Sequence, residues 1–144
     1  MSNATRNRYI ESIVVSLIAL LLLLTEDFAA WQNADSFFGV VEGYVWIGST
    51  NAFPFAQIGI LSLSACFLYI AYVSYKGYSE DVSENLLIKA YRVSKIEIGI
   101  TAGSALLFLI LAFGADWWWF GAGFYGALVA GLANLWIYRQ LNYR

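Results

Sequence analysis

Residues 55–75, 98–115 and 117–138 each run without one charged side chain. As a helix, a bilayer core takes about 20 such residues, and nothing else in this chain of 144 residues restricts its fold as strongly. At about 1.5 Å per residue the three stretches make helices roughly 27–33 Å long. Helix is required rather than isolated strand, because in lipid every backbone group must find its partner within the segment. A shorter apolar run at 13–24, interrupted by one serine, follows Arg6 and Arg8. A basic start and a short apolar centre also outline a secretory signal peptide, but small residues at the −3 and −1 cleavage positions are hard to find. Glu26, Asp27, Trp31 and Gln32 intrude there. The run is expected to be retained, as a helix over residues 9–31.

Basic residues set the orientation of such a chain. Arg6 and Arg8 precede the first span, Lys76, Lys89, Arg92 and Lys95 fall between the second and third, and Arg139 and Arg144 follow the fourth, so all 8 lie on one side. The other side carries Glu26, Asp27, Asp35, Glu42 and Asp116 and no basic residue. That partition implies a multi-pass protein of the cell membrane with both termini cytoplasmic. The expected fold class is an all-α integral membrane protein: one domain over residues 1–144, a four-transmembrane-helix bundle. Its spans lie at about 9–31, 55–75, 96–115 and 117–138, its outer loop at 32–54 and its cytoplasmic loop at 76–95. Trp31, Phe53, Phe55 and Trp117, Trp118 and Trp119 mark the outer boundary, and Tyr9, Tyr75, Tyr78, Trp136 and Tyr138 the inner one. Their rings, apolar at one end and polar at the other, suit those depths.

Composition narrows the function. The chain is 60% hydrophobic and 12% charged, with no basic stripe that would meet nucleic acid. Histidine is absent, Cys66 is the only cysteine and Met1 the only methionine. Haem, copper, zinc and iron–sulfur centres rely on those side chains, so no metal or other cofactor is expected, and no disulfide within the chain. Gly-x-Ser-x-Gly, His-Glu-x-x-His and phosphate-cradling glycine loops are missing too, and these are the motifs on which common hydrolases and nucleotide enzymes are built. The adjacent Glu26 and Asp27 point in different directions on a helix. An enzyme is not expected.

The candidate sites are of other kinds. Gly99 and Gly103 on the third span, and Ala122, Gly126 and Ala130 beside Gly123, Ala127 and Gly131 on the fourth, lie four apart on shared helix faces. Small residues there let backbones approach closely, either between these two helices or against another chain. In the outer loop, Phe37 to Val41 and Tyr44 to Ile47 flank Glu42 and Gly43. Two β-prone runs around a glycine-containing pair predict a short hairpin, with an interfacial helix over residues 36–46 as the alternative. Phe38, Tyr44 and Trp46 are its candidate contacts. Asp81 followed by Glu84 has the spacing of a capping box, which predicts one helix from about residue 82 to residue 115. Lys89, Arg92 and Lys95 on its first turns are placed to meet anionic headgroups. Gln57, Glu97 and Asn134 are the polar candidates for a transport path. Glu97, like Glu11, is placed where a side chain could reach the headgroups.

Four spans, cytoplasmic termini, a longer first outer loop with β character and a tight second one resemble the claudin-like tetraspan layout. The resemblance covers topology along the whole chain and implies an adhesion or barrier role. That family carries a Gly-Leu-Trp element and two cysteines in its first loop, whereas this loop contains Tyr44-Val45-Trp46 and no cysteine and is short for the family, so no specific motif is shared. The residues themselves point to a non-catalytic protein acting by association, as a homo-oligomer or as an accessory subunit of a membrane complex. Its partners are then the lipid bilayer and other membrane subunits or itself. A small oligomeric transporter or channel is the rival.

Overall fold

The computed structural model describes residues 3–35, 39–45, 54–80 and 82–142. Its elements are α1 (Asn3–Thr25), β1 (Ala29–Asp35), β2 (Gly39–Val45), α2 (Pro54–Ser79), α3 (Glu84–Leu111), β3 (Trp117–Phe120) and α4 (Ala122–Asn142). Asn3–Thr25, Ala56–Ser79 and Glu84–Leu111 are long and apolar enough to cross a membrane, with mean hydropathies of 1.9, 1.8 and 1.6. The fourth helix has 21 residues, and Asn134, Arg139 and its glycines dilute its apolar character. The helices form a ring: α1 packs on α2 and α4, and α3 completes the ring against the same two.

One end of the bundle carries a three-stranded antiparallel sheet of order β2-β1-β3. Its construction corrects three expectations. The first helix ends at Thr25, not at residue 31. Two carboxylates at a helix C-terminus oppose the helix dipole, and beyond them Ala29, Ala30 and Trp31 enter a strand paired on both sides. The hairpin is real but shifted. Glu42 and Gly43 lie inside β2 opposite Gln32 and Trp31, and residues 36–38 between the two strands lie outside the described ones. Gly43 serves the sheet rather than a turn, since the Trp31 ring occupies the space its Cβ would fill. Residues 39–45 are strand, so the interfacial helix is also set aside. Finally, the fourth helix starts at Ala122, because Trp117 to Phe120 form β3 against β1. Aromatic residues fit a pleated, half-buried surface.

The helix expected from about residue 82 starts at Glu84 with Ser83 as its N-cap, two residues later, and Asp81 lies outside the described residues. Its end comes early, at Leu111, followed by a turn in which Gly114 has a φ of +99°. Only glycine takes that conformation without strain.

Two apolar layers fill the bundle. The layer at the sheet end gathers Ala19, Leu23, Phe28, Val45, Leu63, Phe67, Phe108 and Ala127, and the layer at the far end gathers Tyr9, Ile70, Val73, Ala90, Ile137, Tyr138 and Leu141. Tyr9 and Tyr138 are therefore interior residues rather than members of an aromatic belt, whereas Tyr75 and Trp136 do face outward. At the far end the Arg6 guanidinium donates to the Tyr78 hydroxyl at 2.6 Å, and Arg8 lies 4.1 Å over the Trp136 ring. These contacts fasten α1 to α2 and α4.

The small-residue stripes divide by partner. Gly126 faces α1, where an added Cβ would lie 2.6 Å from the Leu22 side chain, and Gly131 faces Ile98 and Glu97 of α3. Ala127 and Ala130 are buried, while Ala122, Gly99 and Gly103 are exposed and the two glycines have open space before them. Gly126 thus packs within the chain rather than against another one. Gly126→Ala is expected to lower bundle stability by about 1 kcal/mol as Leu22 is displaced. Gly103→Ala should leave it unchanged or raise it by about 0.5–1 kcal/mol through backbone entropy. Thermal melts in nanodiscs check both, and a destabilised Gly103→Ala would contradict its outward placement.

Candidate functional site

Two regions bring chemistry-bearing residues together. The first lies between the apolar layers. Ser12 and Ser16 of α1 are one turn apart and face inward, as are Glu97 and Thr101 of α3, and Asn134 of α4 meets both helices. The Ser12 hydroxyl donates to Asn134 Oδ1 at 2.8 Å, and Asn134 Nδ2 donates to Ser16 Oγ at 3.0 Å. From α2, the Ser74 hydroxyl donates to Ser12 at 2.9 Å and lies 2.8 Å from the Tyr138 hydroxyl. A serine hydroxyl has a single proton. With that proton committed to Ser12, Tyr138 must be the donor to Ser74. The chain Tyr138–Ser74–Ser12–Asn134 is consequently directed, every hydroxyl donating toward the amide.

Glu97 corrects the expectation that it reaches the headgroups: its side chain is fully buried. Successive helix residues are about 100° apart, so Lys95, two residues earlier, points the opposite way. Lys95 is exposed with its Nζ 4.3 Å over the Tyr91 ring. Asn134 faces the Glu97 carboxyl from α4, yet neither carboxyl oxygen meets a hydrogen-bond partner. Thr101 turns its hydroxyl back to the Glu97 carbonyl at 2.8 Å. The structure therefore brings Glu97 and Asn134 together and leaves Gln57 apart. Gln57 lies in the first turn of α2, about 13 Å along that helix from Cys66, the α2 residue within electrostatic reach of Glu97. Lys89, Arg92 and Lys95 are all exposed, and Glu11 is exposed on α1.

The second region is the sheet. Residues directly opposed across antiparallel strands share a face. Ala29, Phe120 and Val45 form one rung, and Trp31, Trp118 and Gly43 the next. These point toward the bundle, where Trp118 meets Phe108 edge-on at 6.4 Å and Phe120 stacks on Phe124 at 4.2 Å. The opposite face carries the rung Trp119–Ala30–Tyr44, and beside it Trp117 and Gln32. Trp117 is 70% exposed, Trp119 41% and Tyr44 37%, while Ala30 between the rings is fully covered. Tyr44 is therefore exposed on this face of the sheet. Phe38 and Trp46 lie outside the described residues.

Sheet and bundle meet at two glycines. Gly121 N–H donates to the Phe28 carbonyl and Gly123 N–H to the Asp27 carbonyl, each at 3.0 Å. At Asp27 itself, burial and then the adjacent Glu26 carboxylate push the carboxyl above its ordinary value. No group of three or more potential metal ligands occurs among the described residues. Comparison of the chain with protein-family models, with curated proteins and with solved structures finds no match.

Proposed function

We propose that the chain is a four-span protein of the cell membrane, with cytoplasmic termini and its sheet outside, that acts without catalysis by associating through the outward face of that sheet. One observation carries this reading: Trp117, Trp119 and Tyr44, drawn from both outer loops, form one exposed aromatic surface on a rigid three-stranded support. Aromatic residues are enriched where proteins meet, because they bury a large area and lose little side-chain freedom. The fourth helix supports the four-span reading, since its 21 residues reach about 31 Å and it packs on α1 and α3. The partner is a second copy or another membrane subunit.

The test is the native mass of the gently extracted protein beside that of Trp117→Ala/Trp119→Ala. A defined assembly in the wild type, lost in the double variant while helix content and melting are kept, is the expected result. A wild-type chain that is monomeric and free of co-purifying subunits, or an assembly indifferent to the double variant, would refute the proposal. A narrower form is the adhesion role implied by the claudin-like resemblance, supported by the single sheet that both outer loops share. Clustering of vesicles carrying the protein, abolished by the same variant, would favour it.

A further inference from the structure

Glu97 is a carboxyl in the bundle interior with no countercharge among the described residues. From α4 it is faced by Asn134 and, further off, Tyr138, and from α2 by Cys66. On its own helix Lys95 and Arg92 are exposed, and from α1 the level is lined by the hydroxyls of Ser12 and Ser16. The hydroxyl chain gives it no donor, because each proton in that chain is directed to Ser12, Ser74 or Asn134 Oδ1. An ionised carboxylate offers about four acceptor positions. Leaving it unpaired in a protein interior inside a membrane is strongly unfavourable. The charge can therefore exist there only in the company of a cation.

The surroundings select which cation. Two cavities, of about 260 and 170 Å³, are lined by residues such as Ile60, Phe108 and Leu111 at the sheet end, and neither is lined by Glu97 or Asn134. The site is closely packed, with the Glu97 Cβ 3.8 Å from where a Cβ on Gly131 would stand. A metal ion would also need several oxygen ligands, and only one carboxylate is present. A proton needs neither space nor further ligands.

Apolar layers close the site off on both sides: Ala19, Leu63, Phe67 and Phe108 belong to the one at the sheet end, and Ile70, Val73, Ala90 and Ile137 to the one at the far end. We propose that Glu97 is a proton-binding site inside the bundle, with Asn134 as its positioning residue. Glu97 Oε takes up one proton and releases the same proton, and no other bond changes. The site does not depend on the orientation proposed above.

Infrared difference spectroscopy of the protein in lipid vesicles reads this directly. The expected result is a protonated-carboxyl C=O band near neutral pH that shifts in D2O, disappears reversibly at alkaline pH and is missing from Glu97→Gln. Glu97→Asp should restore a titrating band if the glutamine variant folds poorly. Asn134→Leu should retain the band and shift its frequency, because the amide that faces the carboxyl is gone. A band that ignores both pH and D2O would overturn the proposal, making Glu97 a sealed structural acid. Absence of any band lost on substitution would overturn it equally, as it would mean a permanently ionised group. A band unmoved in Asn134→Leu would overturn the positioning role of that residue. None of these readings depends on whether the sheet binds a partner.

Discussion

Gly121→Val is expected to unfasten the sheet from the bundle, lowering stability by about 3 kcal/mol, the upper part of the range for overpacking a fixed site. A Cβ at residue 121 would run into the Asp27 backbone carbonyl. That carbonyl has little freedom to retreat, because it accepts from Gly123 N–H while the adjacent Phe28 carbonyl accepts from Gly121 N–H. Phe28 N–H is in turn tied to the Val45 carbonyl at 2.8 Å. Displacing Asp27 therefore pulls on β1, β2 and the start of α4 at once. A flexible side chain could swing aside, but a carbonyl held from both sides cannot. Ala122→Val, one residue on and exposed, is the control and should stay within about 0.5 kcal/mol of the wild type. Melting followed by tryptophan fluorescence in nanodiscs checks the pair, since Trp117, Trp118 and Trp119 report on the sheet. Equal melting temperatures would refute the close approach of residue 121 to Asp27.

Local signals account for the helices and not for what joins them. Uncharged length placed α2 and α3 closely, because lipid-compatible composition is read residue by residue. At α1 the apolar run of residues 13–24 is followed, past Thr25, Glu26 and Asp27, by Phe28, Ala29, Ala30 and Trp31, so apolar composition alone cannot tell the helix end from the strand start. The acidic pair Glu26-Asp27 was the only local warning. Trp117 to Phe120 had a readable strand signal in four consecutive aromatic residues followed by Gly121, yet its partner is Ala29 to Gln32, far away in sequence. Two of the glycines of α4 show the same limit. Gly126 and Gly131 are five residues and about 140° apart, so they address different helices, α1 and α3, and the stripe alone names neither. Glu97 is the plainest case. Beside Lys95 in sequence it reads as an interfacial residue, and helical rotation is what carries it inside.

Asn134→Leu is the second large effect expected, and it separates polar fastening from packing. Leucine fills nearly the volume of asparagine, so the apolar layers on either side should close over it. What disappears is the acceptor for Ser12 and the donor to Ser16, both fully buried on α1. Interhelical hydrogen bonds within membranes contribute about 0.6 kcal/mol on average and up to about 1.7, so two of them in a packed layer predict a loss of about 1–3 kcal/mol. Because Tyr138, Ser74 and Ser12 all direct their protons toward this amide, the loss should not add independently with loss of Ser12. In a double-mutant cycle Asn134→Leu and Ser12→Ala are expected to couple by about 1 kcal/mol. Asn134→Leu and Gly103→Ala, which share no contact, should add. Reversible unfolding in bicelles, read by steric trapping, measures both cycles. Strict additivity for Asn134 with Ser12 would mean that the chain is a set of separate contacts. Coupling would show that α1, α2 and α4 are held at this depth as one cooperative unit, the rigid wall that a buried carboxyl on α3 requires.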